Sequence, residues 1–381
     1  MALVEHLGAV QVDTLQMVHR SHYLALWSRL GSYDPALLDQ AIYGLPTAEN
    51  NRRLYEYWFH AACILPLSEY RYTLPRKVRR SKQPSRWSLR GLEGAKGEQV
   101  LAHVLERIRA EGGLRAMDFD GQNHGSWWGW KPAKRALELH FDAGRLMIAE
   151  RRNFQRVYDL TERVLPDWVD TTVPGETETN RYLLERAVRV FGICEPLQAA
   201  DYLHMKRTTA RPHIEALIKA GTLLEYSVEQ TGGTARTMVI HRDNLPLLEQ
   251  ALGGALQATR TTFLSPFDSL FWPARRDRQL WGFEQTLEAY KPAAQRRWGY
   301  FCLPILHRGA LVGRFDPRLD RKTGTLAIRA LYLEPGVAPT ERLVNDVAAV
   351  MRDFLHFHNA QNLTIERSNP ADFGAKLLAA L

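Results

Sequence analysis

The chain has 381 residues, 45% of them hydrophobic, which is enough for two or three domains with cores of their own. Its 50 lysines and arginines against 42 acids leave a net charge of +8, which favours a polyanionic partner but equally describes a merely basic soluble protein. Cys63, Cys194 and Cys302 are too far apart for a disulfide framework or a Cys-x-x-Cys zinc cage; with no charged-then-apolar leader and no long apolar run, a cytoplasmic protein without a bilayer span is expected.

Met1 to Leu7 reads as the last turns of a helix, with Gly8 as its stop. Gln11-Val12-Asp13 then reads as extended chain with Val12 inward, so Gln11 and Asp13 share a face. An amide and a carboxylate presented together can hold one water, the acid as base and the amide as orienting group; the plainer alternative is a surface strand or turn. Leu24, Leu26, Trp27 and Leu30 form a buried stripe after Val18-His19-Arg20-Ser21-His22-Tyr23. Arg20 and His22, just past the pair, stand where they could reach phosphates, although His19 and His22 also read as a helical surface pair. Without a third ligand no metal site is expected.

Pro35 to Ile42 reads as a short helix, and the aromatics of Glu56-Tyr57-Trp58-Phe59-His60 as core. Arg76, Lys77, Arg79, Arg80, Lys82, Arg86 and Arg90 make a strongly positive run, either a solvated linker or a neutraliser of phosphates. Gln99 to Arg109 is an amphipathic helix with Leu101, Val104, Leu105 and Ile108 on one face, ended by Gly112-Gly113. A second helix opens at Pro132 and closes at Gly144, and two short strands, Arg145 to Glu150 and Phe154 to Tyr158, follow. Helix, turn, helix and two-stranded wing is winged-helix order, which puts Lys131, Lys134 and Arg135 where such a fold meets DNA; winged helices also serve as protein-contact modules.

The same grammar returns from Arg181 to His241. Leu184, Ala187, Val188 and Phe191 line its first helix, Pro196 to Leu203 is the second, and Ala210 to Ala220 the third. Leu223 to Val228 and Thr237 to His241 form a wing around Gly232-Gly233. Lys206, Arg207, Thr209 and Arg211 crowd the N-terminal end of the third helix, a phosphate-gripping arrangement. Beyond Gly253 the pattern alternates: Trp298 to Leu306, Ala310 to Phe315 and Thr325 to Leu333 predict an antiparallel meander, covered by a helix bearing Leu343, Val347, Val350 and Phe354. Pro335-Gly336-Val337 lacks the second glycine of a helix-hairpin-helix loop.

Four separated stretches, QVDTLQMVHRSHYLALWSRLGSYD, YEYWFHAACILP, SWWGWKPAKRALELHFDAGRLM and LSPFDSLFW, occur in an order that resembles the winged-helix DNA glycosylases of the YcaQ/AlkZ type. The resemblance covers nearly the whole chain, and Asp at the last position of the Gln-apolar-Asp signature is closer to the YcaQ branch. It implies an α+β protein of tandem winged helices with a C-terminal β meander. The expected domains are 1–90, a winged-helix region with the catalytic segment and basic linker; 91–170 and 171–252, a second and third winged helix; and 253–381, rich in β structure. Relatives carry one or two helices ahead of the signature, so the first domain is expected to be incomplete and a misplaced start codon would account for it.

What the resemblance implies for chemistry is a monofunctional DNA glycosylase, with Asp13 as base and electrostatic stabiliser and Gln11 holding the water. Hydrolysis of an N-glycosidic bond passes through a sugar of oxocarbenium character, and one carboxylate suffices when the departing base is already cationic. Bulky N7-alkylpurines and interstrand crosslinks are the implied lesions, in double-stranded DNA, with no cofactor, no membrane and a nucleoid-associated monomer. Asp268, in the LSPFDSLFW landmark, is alternatively a turn former. The rival readings are a non-catalytic winged-helix transcription regulator or adaptor, in which Asp13 is an ordinary capping residue, and a protein-interaction scaffold.

Overall fold

The structure, a computed structural model, describes residues 1–44, 50–84, 89–119, 132–229, 233 and 235–381. Contacts divide the chain into two compact units, Met1–Ala9 with Ala36–Leu183, and Val10–Pro35 with Leu184–Leu381. The stretch expected as one domain, 1–90, is therefore split. Val10–Pro35 groups with the C-terminal half because Val18, Leu24 and Trp27 join a core made by Phe263, Phe315, Leu331 and Phe354.

In the first unit, helix Ala2–Leu7 ends at Gly8, whose φ of 71° suits a residue without a Cβ. Helix Pro35–Tyr43 precedes an antiparallel hairpin, Leu54–Trp58 with Ala62–Pro66. The basic run that follows is helical as far as Lys82. Leu67–Thr73 forms a 3-10 turn and Leu74–Lys82 an α-helix, started by Pro75 in its first turn. The helix is held by partners distant in sequence, Arg80 and Arg76 pairing with Asp142 at 3.2 and 3.7 Å, while buried Lys77 lies over the rings of Tyr70, Tyr57 and Tyr55 at 3.7, 4.5 and 5.3 Å. Arg86 lies outside the described residues.

Helix Gly94–Glu111, strand Leu114–Arg115, helix Pro132–Asp142 and the hairpin Leu146–Arg152 with Gln155–Leu160 then follow, the three strands ordered first, third, second. The hairpin turns on Asn153 and Phe154, both at positive φ, the geometry that matches strand twist in a two-residue loop. Arg151 holds that turn through a 2.7 Å bond to the Phe154 carbonyl and reaches back to Glu56 at 2.6 Å. Burial alone would raise the Glu56 carboxyl, but Arg151, Arg156 and the Tyr43 hydroxyl hold it below its ordinary value.

The second unit repeats this topology from the later turns of helix Glu176–Phe191. Strand Ile193–Cys194, helices Gln198–Tyr202 and Arg207–Lys219, and the hairpin Leu223–Glu229 with Ala235–His241 give a sheet again ordered first, third, second. After helix Leu245–Leu252 comes the larger sheet: Thr261–Phe263, Leu303–His307, Ala310–Asp320 and Thr325–Leu333, all antiparallel. Helix Glu341–Phe357 covers it with Leu343, Val347, Met351 and Phe354 inward. Two short strands absent from the expected meander, Asn362–Ile365 and Ser368–Asn369, add to Thr325–Leu333 in parallel, so the sheet is mixed.

The strand expected from Trp298 starts only at Leu303. Upstream of it, backbone N–H groups find carboxylates instead of a neighbouring strand: Glu288 accepts from Arg297, Trp298 and Gly299, and Asp316 from Tyr300 and Phe301. Among the described residues no helix is long and apolar enough to cross a membrane.

Candidate active site

Val10–Gln11 is a two-residue strand, and the chain stays open to Arg20, where helix Ser21–Leu30 begins. Val12 is buried while Gln11 and Asp13 are half-buried, the alternation expected of extended backbone. Ser21, 1% exposed, organises both flanks of Val12: its Oγ accepts the Asp13 N–H at 3.0 Å and donates to the Gln11 carbonyl at 2.8 Å. The Asp13 carboxylate then folds forward, Oδ1 accepting the Leu15 N–H at 2.8 Å, an Asx turn that fixes the side chain. Among the described residues its Oδ2 carries no hydrogen bond, so one oxygen orients the group and the other is available to a water.

Arg20 does lie beside the pair. Its Nη1 donates to the Thr14 carbonyl at 2.7 Å, drawing a cation over the turn that follows Asp13. His22 is different: it is 3% exposed and its ring packs on Tyr23 at 4.1 Å between centroids, so it serves the core and leaves the set of phosphate-reaching residues. His19 is held as well, its N–H donating to His358 Nε2 at 3.1 Å while His358 Nδ1 lies 2.7 Å from the Phe354 carbonyl. Only the neutral ring with its proton on Nδ1 satisfies both contacts. Burial, with Arg321 and Arg20 adding to it, pulls the His19 pKa down to about 4.

The segment is bolted to its own unit along its length. Leu319 N–H donates to the Met17 carbonyl at 2.9 Å and Arg321 to the Val18 carbonyl at 2.6 Å. Trp27 Nε1 and the Ser32 hydroxyl both donate to Asp353, each at 2.8 Å. Arg29 grips Asp268 with two bonds, 2.7 and 2.9 Å, and Asp268 also accepts the Leu270 N–H at 3.1 Å. Asp268 is thus the turn former that its sequence context allowed and, beyond that, an anchor for Arg29, and at 1% exposure it is sealed behind the helix.

Ser21, which holds the pair, and Arg29, which anchors the helix behind it, were not visible in the sequence. The field of Asp13 reaches the Tyr290 phenol, whose pKa is raised by partial burial and then by that carboxylate, while its side chain stays largely exposed.

The remaining basic candidates sit on two helices. In the second unit Lys206, Arg207, Thr209 and Arg211 are all exposed in the first turns of helix Arg207–Lys219, as expected, with Arg207 paired to Asp201 at 2.8 Å. In the first unit Lys134 is exposed on helix Pro132–Asp142, whereas half-buried Arg135 donates to the Arg90 carbonyl. Lys131 lies outside the described residues.

A family model described as DNA glycosylase AlkZ-like matches residues 4–357. Among solved structures, the DNA glycosylase AlkZ of Streptomyces sahachiroi is similar in fold with a TM-score of 0.61 at 14% identity, over 96% of this chain and 92% of that one.

Proposed function

The chain belongs to the AlkZ-like DNA glycosylases, and from that premise we propose that it hydrolyses the N-glycosidic bond of bulky N7-alkylated purines in duplex DNA, interstrand crosslinks included. The observation that carries this reading is Asp13, its carboxylate oriented through Oδ1 by the Leu15 N–H and its backbone N–H tied to the Gln11 backbone carbonyl through the Ser21 hydroxyl. Asp13 takes the proton from a water that the Gln11 amide positions, and its charge stabilises the ribose as the bond to the base breaks. An N7-alkylguanine carries its own positive charge, so it departs without a general acid, and one carboxylate is enough.

In this reading the two repeated helix, strand, helix and hairpin folds are winged helices. Lys206, Arg207, Thr209 and Arg211 grip phosphates at a helix N-terminus, Arg20 acts beside the carboxylate, and Lys131, Lys134 and Arg135 serve the other winged helix. The protein works as a monofunctional glycosylase and leaves an abasic site.

The test is incubation of the purified chain with duplexes carrying a single N7-alkylguanine or a nitrogen-mustard crosslink. Wild type should yield abasic product, and Asp13→Asn and Gln11→Ala should lose activity by roughly two to four orders of magnitude, the usual contribution of acid-base groups. Tight, salt-dependent binding with no product would instead make the chain a DNA-binding adaptor.

A further inference from the structure

The mixed sheet of the second unit ends on strand Asn362–Ile365, which pairs in parallel with Thr325–Leu333 and has no strand on its other side. The ladder to its one neighbour uses alternate residues: Asn362 N–H donates to the Gly324 carbonyl at 3.2 Å, and Glu366 N–H to the Ile328 carbonyl at 2.8 Å. In a parallel strand the residues between these turn their main-chain groups the other way, so Leu363 and Ile365 present N–H and C=O at the open edge. Edges of this kind are commonly guarded by lysine, proline or a bulge. Residues 361–365, Gln-Asn-Leu-Thr-Ile, carry no charge and no proline, and their register with Thr325–Leu333 runs without a shift.

Beside the edge lies a groove of about 600 Å³ whose walls include Leu355 of helix Glu341–Phe357, Leu363 of the strand, Leu378 of helix Ala371–Ala379, and Leu381. Leu378 is 45% and Leu381 38% exposed, so this apolar wall stands uncovered. A strand added at the edge would put every second side chain on the face of Leu363, towards the groove. Among the lining residues Arg352 alone has a charged side chain. Its Nη1 donates to the Ala380 carbonyl at 2.7 Å, and among the described residues it has no carboxylate partner.

We propose that this edge and groove form a docking site for an extended acidic peptide of another protein, added as a strand beside Asn362–Ile365 with alternate aliphatic side chains in the groove and a carboxylate on Arg352. Each feature selects one part of the ligand: the open main-chain groups a strand, the leucines its aliphatic positions, and the unanswered cation its acid. A second copy of the chain fits less well, because its own edge from Gln361 to Ile365 brings no acid to Arg352. The sheet and both helices are already fixed by core residues such as Leu326, Met351, Phe373 and Leu377, so the ordering that binding requires falls on the peptide. The site stands independently of the glycosylase reading.

The test uses the full chain and three fluorescein-labelled heptapeptides that alternate threonine with leucine, each with a different leucine replaced by aspartate, and their lysine counterparts as controls. In anisotropy titrations at least one aspartate peptide should bind with a Kd below about 300 μM and about tenfold more tightly than its lysine counterpart. Arg352→Glu should reverse that preference. Leu378→Glu, at an exposed position, should weaken binding by about tenfold or more without lowering the melting temperature. Bound peptide should slow amide hydrogen exchange at Leu363 and Ile365, which only an added strand protects, and leave Asn362 and Thr364 little changed. Affinities all weaker than about 300 μM, equal binding of aspartate and lysine peptides, or unchanged exchange at Leu363 and Ile365 in the bound state refutes the proposal. A dimer in sedimentation that Thr364→Lys dissolves refutes it as well, since the edge then belongs to a second copy.

Discussion

Replacing Arg29 by methionine should unfold the second unit at a distinctly lower temperature, and the size of the effect follows from what is left behind. The guanidinium makes two bonds to Asp268, at 2.7 and 2.9 Å, and Asp268 is 1% exposed. Without Arg29 the carboxylate keeps, among the described residues, only the Leu270 N–H at 3.1 Å. Breaking a buried pair from one side costs about 3–5 kcal/mol, whereas removing both charges costs far less. At roughly 2–4 °C per kcal/mol for a unit of this size, Arg29→Met should lower the melting temperature by about 6 to 20 °C. Asp268→Asn should cost about 1–2 kcal/mol, since the side chain of Arg29 is 22% exposed and can hydrate. The double variant should then recover most of the loss, with a coupling energy of at least about 2 kcal/mol in a double-mutant cycle read by calorimetry and by denaturant titration. Additive single variants, or an Arg29→Met loss under about 1 kcal/mol, would mean that the pair does not fix the helix carrying Ser21.

Ser21→Ala removes the one hydroxyl shared by Gln11 and Asp13, so single-turnover cleavage of an N7-alkylguanine duplex should fall by about ten- to a hundredfold, with at most about 2 kcal/mol lost in stability; an unchanged rate would dismiss the clasp. Acid should weaken the fold through His19 and His358, whose pKa values are drawn by burial from 6.5 down to about 4 and about 3. The unfolded chain binds the extra protons, so the stability that the neutral rings contribute is whole above about pH 6.5 and drains away as pH falls towards 4, by up to about 1.4 kcal/mol per pH unit for each ring. Denaturant melts at pH 7, 6 and 5 should show this slope in wild type and a shallower one in His358→Gln. Lys77→Met should stabilise the first unit by about 1 kcal/mol at pH 7, because burial of the amine among Tyr55, Tyr57 and Tyr70 disfavours its charge more than the rings repay. That gain should vanish by about pH 10.5, where the unfolded lysine is also neutral, and a loss of stability at pH 7 would show the ring faces to be the stronger influence.

Much of the architecture was legible because it is written in local terms. Gly8 and Gly112 end helices where expected, Pro132 opens one, and both hairpins follow alternating runs with turn residues between them. The stripe of Leu24, Leu26 and Trp27 is buried as its spacing predicts. The readings that failed depended on distant partners. The charge run after Arg71 read equally as a solvated linker or a phosphate neutraliser because Asp142 and the tyrosines that hold Arg76, Lys77 and Arg80 lie elsewhere in the chain, and the strand from Trp298 looked continuous because nothing local announces Glu288 and Asp316 as acceptors. His22 looked like a surface cation and is core. The parallel strands after Asn362 are too short to leave a period. At the site, the Gln11 and Asp13 signature was legible through its resemblance to a family, whereas Ser21, one hydroxyl at a helix start, looks like any other.

The bond from the His19 N–H to His358 joins residues 339 positions apart, and Val18 and Trp27 share a core with Phe373 and Leu377 near the end of the chain. During synthesis the segment that carries Asp13 therefore waits for a partner made 339 residues later, roughly 17 to 70 s at ordinary elongation rates. A nascent or prematurely terminated polypeptide, however basic, lacks the frame against which Asp13 is set. With Asp13 in its proposed role, a copy cut short before helix Glu341–Phe357 would not excise a base, and no regulator would be needed to silence it.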